Sequence, residues 1–410
     1  HDRKDEAEAV FKKGLAASPE SVPLRIALAR YYQDIGRKED AINLLEETVK
    51  SQPSDPQGYL ALAGYYQGEE QRDKAENVLS QAISAAPDRF RPYLALARLK
   101  LREKAYDAAA DVLVKGMQAI EPDGEAKPDS AEVRRYQAGI FVLGHQYCDV
   151  LLDQMMGGAD REEKMPKVEA TLQELRGVAP DNPIISKIEG RIAYLQGDLV
   201  KAERLLRQAY DSFGGFEPVT GQALINIYRN LNQPGEAEKI IKGFLSYAPD
   251  NPAALLAMAR LNMRYRKFEL AAQNLEAALS ADRDDKAAKS LQAVLGVLTG
   301  RTNRLEGDLE VAPEDLALVL DRAQQLWQEG EQTAAIQLAR DIVNQEPQLN
   351  AMLQLIRWHM ARGEEDRANE VVELALKVYE RKAKETGRSY EELTEQLKLL
   401  VQRDPEKQKA

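Results

Sequence analysis

The chain has 410 residues, with 56 Lys and Arg against 67 Asp and Glu, a formal net charge of −11. That balance speaks against nucleic acid or an anionic membrane as the main partner, since neither attracts an acidic surface without a local basic patch. A single cysteine, Cys148, excludes an internal disulfide and any multi-thiolate metal site, and no apolar run approaches the roughly 20 residues of a membrane span.

Hydrophobic residues make up 44% and aromatics only 6% of the chain, a composition of helices packed through small side chains. Residues 4–19 read as the second half of a repeating unit: Ala7, Phe11, Gly14 and Pro19 fall 34 residues before Ala41, Leu45, Thr48 and Pro53. A lone second helix would leave an apolar stripe uncovered, so the expectation is a piece cut from a longer protein, with His1 from a tag. Pro53 and Pro87 keep the interval of 34, and three helical hairpins are predicted at about 22–51, 56–86 and 90–120. Each first helix carries a Leu–Ala pair (Leu28–Ala29, Leu62–Ala63, Leu96–Ala97), and each second helix an Ala and a Leu four apart (Ala41/Leu45, Ala75/Leu79, Ala109/Leu113). The small residue lets backbones approach and the large one fills the gap to the next unit.

The Pro/Gly/Asp-rich stretch 121–130 breaks the rhythm. A long amphipathic helix from Ser130 to about Met156 and a partner at 162–178 make one enlarged hairpin over 122–178. Regular units return at 179–312, marked by Gly190, Ala202 and Leu206, by Leu224, Ala237 and Ile241, and by Met258, Ala259, Ala271 and Leu275. The last of these units, 286–311, is degenerate, with one helix ending at Leu298. Residues 313–385 give two further hairpins, and 386–410 a capping helix and tail whose apolar face comprises Tyr390, Leu393, Leu397, Leu400 and Val401.

The clearest unit, Gln57–Asp88, places Tyr59, Leu62, Ala63 and Tyr66 on one helix, Ala75, Leu79 and Ala82 on the next, and Pro87 at the close. It resembles the tetratricopeptide repeat (TPR) family closely. The resemblance implies an all-α, right-handed superhelical solenoid of about ten hairpins, with one enlarged hairpin and a C-terminal capping helix. It also implies a non-catalytic interaction scaffold that holds peptides or proteins along a concave wall of first helices. By helical spacing the residue after each Leu–Ala pair faces that wall, and in three units it is arginine: Arg30, Arg98 and Arg260. Arg102, Arg229 and Arg264 lie a turn further along their helices, and Asn226, Trp327 and Trp358 join them as candidates. Two readings of the arginines stand: a ladder gripping carboxylates of an acidic partner, or pairing with glutamates on neighbouring first helices. The tryptophans are likewise either binding anchors or packing between repeats. The co-chaperone carboxylate clamp is absent, because Gln222 stands four residues before Asn226 and Ala257 occupies the next corresponding region.

Catalytic chemistry finds no foothold. His145 and Cys148 share a helix but lack a third metal ligand, there is no phosphate loop, and acidic pairs such as Glu69–Glu70 and Glu364–Glu365 fall in turns. The sequence therefore predicts no catalytic residue, no metal, no cofactor, no nucleic acid and no membrane insertion, with self-association open through the solenoid ends. The style of the repeats resembles bacterial arrays in exopolysaccharide-secretion and outer-membrane assembly proteins. A regulatory arm of an enzyme domain outside this sequence is the alternative, and periplasm and cytoplasm both stay open.

Overall fold

The computed structural model describes residues 2–122, 127, 130–305, 307 and 309–386; the capping helix expected at 388–403 lies outside the described residues. Among the described residues there are twenty α-helices and no strand. The chain divides into two compact units, residues 1–198 and 199–410. Unit 1 begins with α1 (Asp2–Ala17) and continues as four antiparallel pairs: α2 (Val22–Asp34) with α3 (Lys38–Ser51), α4 (Pro56–Gly68) with α5 (Arg72–Ala85), α6 (Phe90–Arg102) with α7 (Tyr106–Ala119), and α8 (Ala131–Met156) with α9 (Arg161–Val178); α10 (Pro183–Leu195) closes it. Unit 2 contains α11 (Leu199–Ser212), the pair α12 (Pro218–Asn230) and α13 (Pro234–Tyr247), and the pair α14 (Pro252–Arg264) and α15 (Phe268–Ala281). After the single helix α16 (Lys286–Leu298) come two more pairs, α17 (Pro313–Gln328) with α18 (Gln332–Gln345) and α19 (Leu349–Ala361) with α20 (Glu365–Thr386).

Local chemistry sets the helix limits. Pro opens α4, α10, α12 and α14, where its missing N–H costs nothing, and the preceding residue caps the helix. Asp55 accepts from the Gln57 N–H at 2.9 Å and Asn251 from the Ala254 N–H at 3.0 Å. Inside the pairs, the turn between helices is built from one residue in the left-handed region, followed by an N–H that reaches back over the helix end. Glycine supplies this residue in four pairs (Gly36, Gly158, Gly330 and Gly363), but Glu70, Lys104, Asn232 and Arg266 adopt φ of 53–59° in the other four. The Gln71 N–H then bonds the Tyr66 carbonyl at 2.8 Å, and the Ala105 N–H the Lys100 carbonyl at 3.0 Å.

Packing follows the small-residue rule. Ala41, Ala75, Ala109, Ala202, Ala237, Ala271 and Ala335 are all wholly buried, and their partners Leu79, Leu113, Leu206 and Ile241 are too. In the enlarged pair, α8 rides close on its predecessors. A Cβ at Gly116 would stand 2.8 Å from the Tyr93 Cβ and 2.9 Å from Leu143 of α8, so this contact needs glycine, and one at Gly139 would stand 2.4 Å from the tip of the Ile120 side chain, which would have to move.

α16 has no antiparallel partner of its own. The described residues of 301–312 form no helix, and they are fixed instead by polar anchors. The buried Asp341 carboxylate accepts from Arg304 Nε at 2.9 Å, from the Leu305 N–H at 3.0 Å and from Gln337 Nε2 at 2.9 Å. The Glu310 N–H donates to the buried Ser290 hydroxyl at 2.9 Å. Leu305 packs inward beside them. A buried charge is tolerable there because donors replace the water it has lost.

Candidate functional site

The first helices of successive pairs in unit 1, α2, α4 and α6, pack against one another in order. Their register is visible in two equivalent contacts. Gln33 on α2 lies beside Gly68 on α4, and Arg102 on α6 donates to Gln67 on α4. One turn earlier on each helix stand Arg30, Gly64 and Arg98, all exposed. Among the described residues Arg30 and Arg98 have no hydrogen bond or ion pair, and nothing lies within 4 Å of where a Gly64 side chain would begin. A further turn back, Ile26, Leu60 and Leu94 form a half-buried aliphatic row seated on the core. Near the starts of α4 and α6 a cavity of about 530 Å³ opens between Gln57, Arg89, Phe90, Arg91 and Arg135. Arg89 and Arg135 both pair with Asp88, at 3.7 Å for Arg89. A chain of net charge −11 thus carries on this face an arginine row alongside an apolar one.

In unit 2 the predicted residues meet other fates. Arg260 donates through Nε to Asp315 at 3.0 Å, and Arg229 pairs with Glu314 at 3.3 Å, so both are engaged by the first turn of α17. Asp315 is nearly sealed from solvent, and burial pushes its carboxyl up despite the Arg260 guanidinium beside it. Asn226 accepts from Gln222 at 3.3 Å, while Arg264 is exposed and unpaired among the described residues. Trp327 and Trp358 stack on each other, ring centroids 5.0 Å apart and planes 9° from parallel, with Trp358 buried. The structure therefore brings Arg30, Arg98 and Arg102 onto one face, ties Arg229 and Arg260 to α17, and lays the tryptophans against each other.

A charged cluster of unit 1 escaped the sequence reading. Lys187 and Arg191 on α10 are almost fully buried. Asp149 on α8 accepts from Lys187 Nζ at 3.0 Å and from Arg191 Nη1 at 2.7 Å, and its Oδ2 lies 3.0 Å from His145 Nε2; Arg191 also pairs with Asp153. Burial alone would raise the Asp149 carboxyl, but the His145 ring and the two cations outweigh it and hold the group well below the usual carboxylate range. The signal was present: Arg191 follows Gly190 as Arg98 follows Ala97. His145 thus serves an ion network, and Cys148 is sealed in the core, where burial pushes its thiol far up and leaves it unreactive. Among the described residues no group of three His, Cys, Asp or Glu is placed to hold a metal, and no helix is long and apolar enough to cross a membrane.

Residues 3–64 and 232–295 match the family model for the tetratricopeptide repeat. No curated protein matches the chain. Among solved structures it is similar to a chain of the APC/C hetero-tetramer Cut9–Hcn1, with 15% identity and a TM-score of 0.46 over 71% of this chain and 52% of that one, so it spans about half that protein's length. A tetratricopeptide repeat protein from Parabacteroides merdae shares 12% identity with a TM-score of 0.47, covering 65% of this chain and 95% of its own. PilF of Pseudomonas aeruginosa shares 14% identity with a TM-score of 0.38, covering 71% and 98%.

Proposed function

We propose that this chain, a member of the tetratricopeptide repeat family, is a non-catalytic scaffold that binds a protein or peptide partner along the first-helix face of unit 1. The observation that carries this reading is the unengaged pair Arg30 and Arg98 beside the half-buried row Ile26, Leu60 and Leu94. Guanidinium groups left without carboxylates, in a chain with 67 acidic residues to offer, are available to a partner's carboxylates. The aliphatic row supplies the apolar area that gives such a contact its affinity, while the charges give it direction. Arg102 and Arg264 extend the basic surface on their own units, whereas Arg229 and Arg260 are held by α17 and Trp327 and Trp358 by each other. An acidic, partly apolar segment is the partner this face fits. The deciding measurement is capture with immobilised protein, repeated with Arg98→Glu, with Arg260→Glu and with Lys115→Glu, an exposed lysine on α7. A partner lost only with Arg98→Glu supports the reading, and one retained in all three removes the unit 1 face from the account.

A further inference from the structure

The arginine row has a fixed pitch, and the pitch implies a spacing in what it binds. Arg30, Gly64 and Arg98 occupy equivalent places on α2, α4 and α6, and the paired contacts Gln33–Gly68 and Gln67–Arg102 show that the three helices keep one register across the face. Helices packed side by side stand about 8–10 Å apart, so the two arginine stems are separated by roughly twice that. Between them the wall is bare, because position 64 has no side chain and nothing reaches over it.

A segment crossing the helices in extended form advances about 3.1–3.4 Å per residue. Three residues therefore match one helix, and about six match the step from Arg30 to Arg98. Six residues return the same face in either extended form, but the three-residue step does so only in polyproline II, where it is one full turn, and not in a strand, whose faces alternate. The aliphatic row repeats with the single-helix step, through Ile26, Leu60 and Leu94.

We infer that the unit 1 face recognises an acidic segment in polyproline II form in which two carboxylates lie six residues apart, one on Arg30 and one on Arg98, with apolar side chains every third residue seated on Ile26, Leu60 and Leu94. The inference rests on the scaffold reading above and adds the register. Gly64 is the specificity element: its missing side chain leaves the segment's backbone room to cross α4, and leaves the two guanidiniums without an internal bridge.

The test uses the whole chain and two labelled peptides of identical composition, each with leucine at every third position. One carries its two aspartates six residues apart, the other carries them adjacent. Binding is read by fluorescence anisotropy at low and high salt. The spaced peptide should bind about fivefold tighter, the factor one exposed ion pair supplies. That advantage should vanish in Arg30→Gln and Arg98→Gln. It should vanish equally in Gly64→Glu, whose carboxylate would stand between both arginines in open space; circular dichroism and hydrogen exchange would show each variant folded. Equal binding of the two peptides, with both weakened by the arginine substitutions, overturns the register and leaves the scaffold reading in place. Failure of the spaced peptide to bind, alone or together with the adjacent one, also overturns the register. Binding that ignores Arg30 and Arg98 altogether overturns the register and the unit 1 reading together.

Discussion

Units 1 and 2 contain nearly the same string, ALAR ending at Arg98 and AMAR ending at Arg260, and use the arginine in opposite ways. Arg98 is exposed and unengaged among the described residues, whereas Arg260 is locked to Asp315, three helices further along the chain. The difference does not lie in the repeat itself. It lies in α16, which lacks a partner helix: the chain runs on through 301–312 into α17, whose first turn presents Glu314 and Asp315 to Arg229 and Arg260. Within unit 2, an irregularity in one repeat thus decides whether an arginine of another repeat is ion-paired.

The two buried carboxylates sharpen the contrast. Asp149 in unit 1 has two buried cations and His145, and its carboxyl is held down; Asp315 in unit 2 is hydrogen-bonded by one partly exposed cation, Arg260, with Arg229 a weaker influence, and burial wins and raises it. The largest expected effect is therefore at Asp149→Ala, which removes the carboxylate shared by the buried Lys187 and Arg191 and should destabilise unit 1 by about 3–5 kcal/mol. Hydrogen exchange of α8 and α10 would read it. Arg260→Ala strands Asp315 and should cost unit 2 about 2–3 kcal/mol, less because Arg260 is itself about a quarter exposed. Adding Asp315→Asn should restore most of the loss. Both tryptophans lie in unit 2, so their fluorescence during urea unfolding reports that unit alone.

Acid should act with opposite sign on the two sites. The depressed Asp149 contributes stability that is present above the ordinary carboxylate value of about 3.9 and is lost as pH falls below it toward the folded value. The raised Asp315 contributes stability that is complete below about 3.9 and is lost as pH rises through its higher folded value. Replacing Asp149 with Asn should flatten the acid loss in unit 1, and replacing Asp315 with Asn should remove the contribution that falls with rising pH in unit 2. An identical pH response of the two units in the two variants would break the comparison.

Smaller effects test the regular parts. Lys104→Gly relieves a left-handed residue at φ 59° and should stabilise unit 1 by about 0.5–1 kcal/mol. Arg98→Ala should leave stability within about 0.5 kcal/mol, because the residue touches nothing that folding requires. A large loss there would mean that Arg98 is structural after all, and the two units would no longer differ.

The helical pairs were legible because their causes are local. Proline at the first turn of α4, buried alanine at 41, 75 and 109, and the long apolar period of α8 all act through neighbours a few residues away. The enlarged pair and the single helix α16 were visible as broken rhythm. Left-handed Glu70 and Lys104 were not, since nothing in those side chains demands positive φ and only the turn imposes it. For the candidate site, the sequence placed Arg30 and Arg98 after the Leu–Ala pairs of α2 and α6, where both are exposed, but it left open whether arginines there would be engaged. That question turns on residues 55 positions apart for Arg260 and Asp315, and 42 apart for Arg191 and Asp149.

The sequence by itself determined the repeating helical pair, its buried small residues, and which helix faces carry arginine, because backbone sterics and apolar periodicity are read within a single unit. Only the tertiary structure decided which arginines are ion-paired within the chain and which are not. Ion pairing depends on carboxylates delivered from distant repeats, and the exposure that leaves Arg30 and Arg98 open while Arg260 is closed comes from how successive helices stack, which no local pattern encodes.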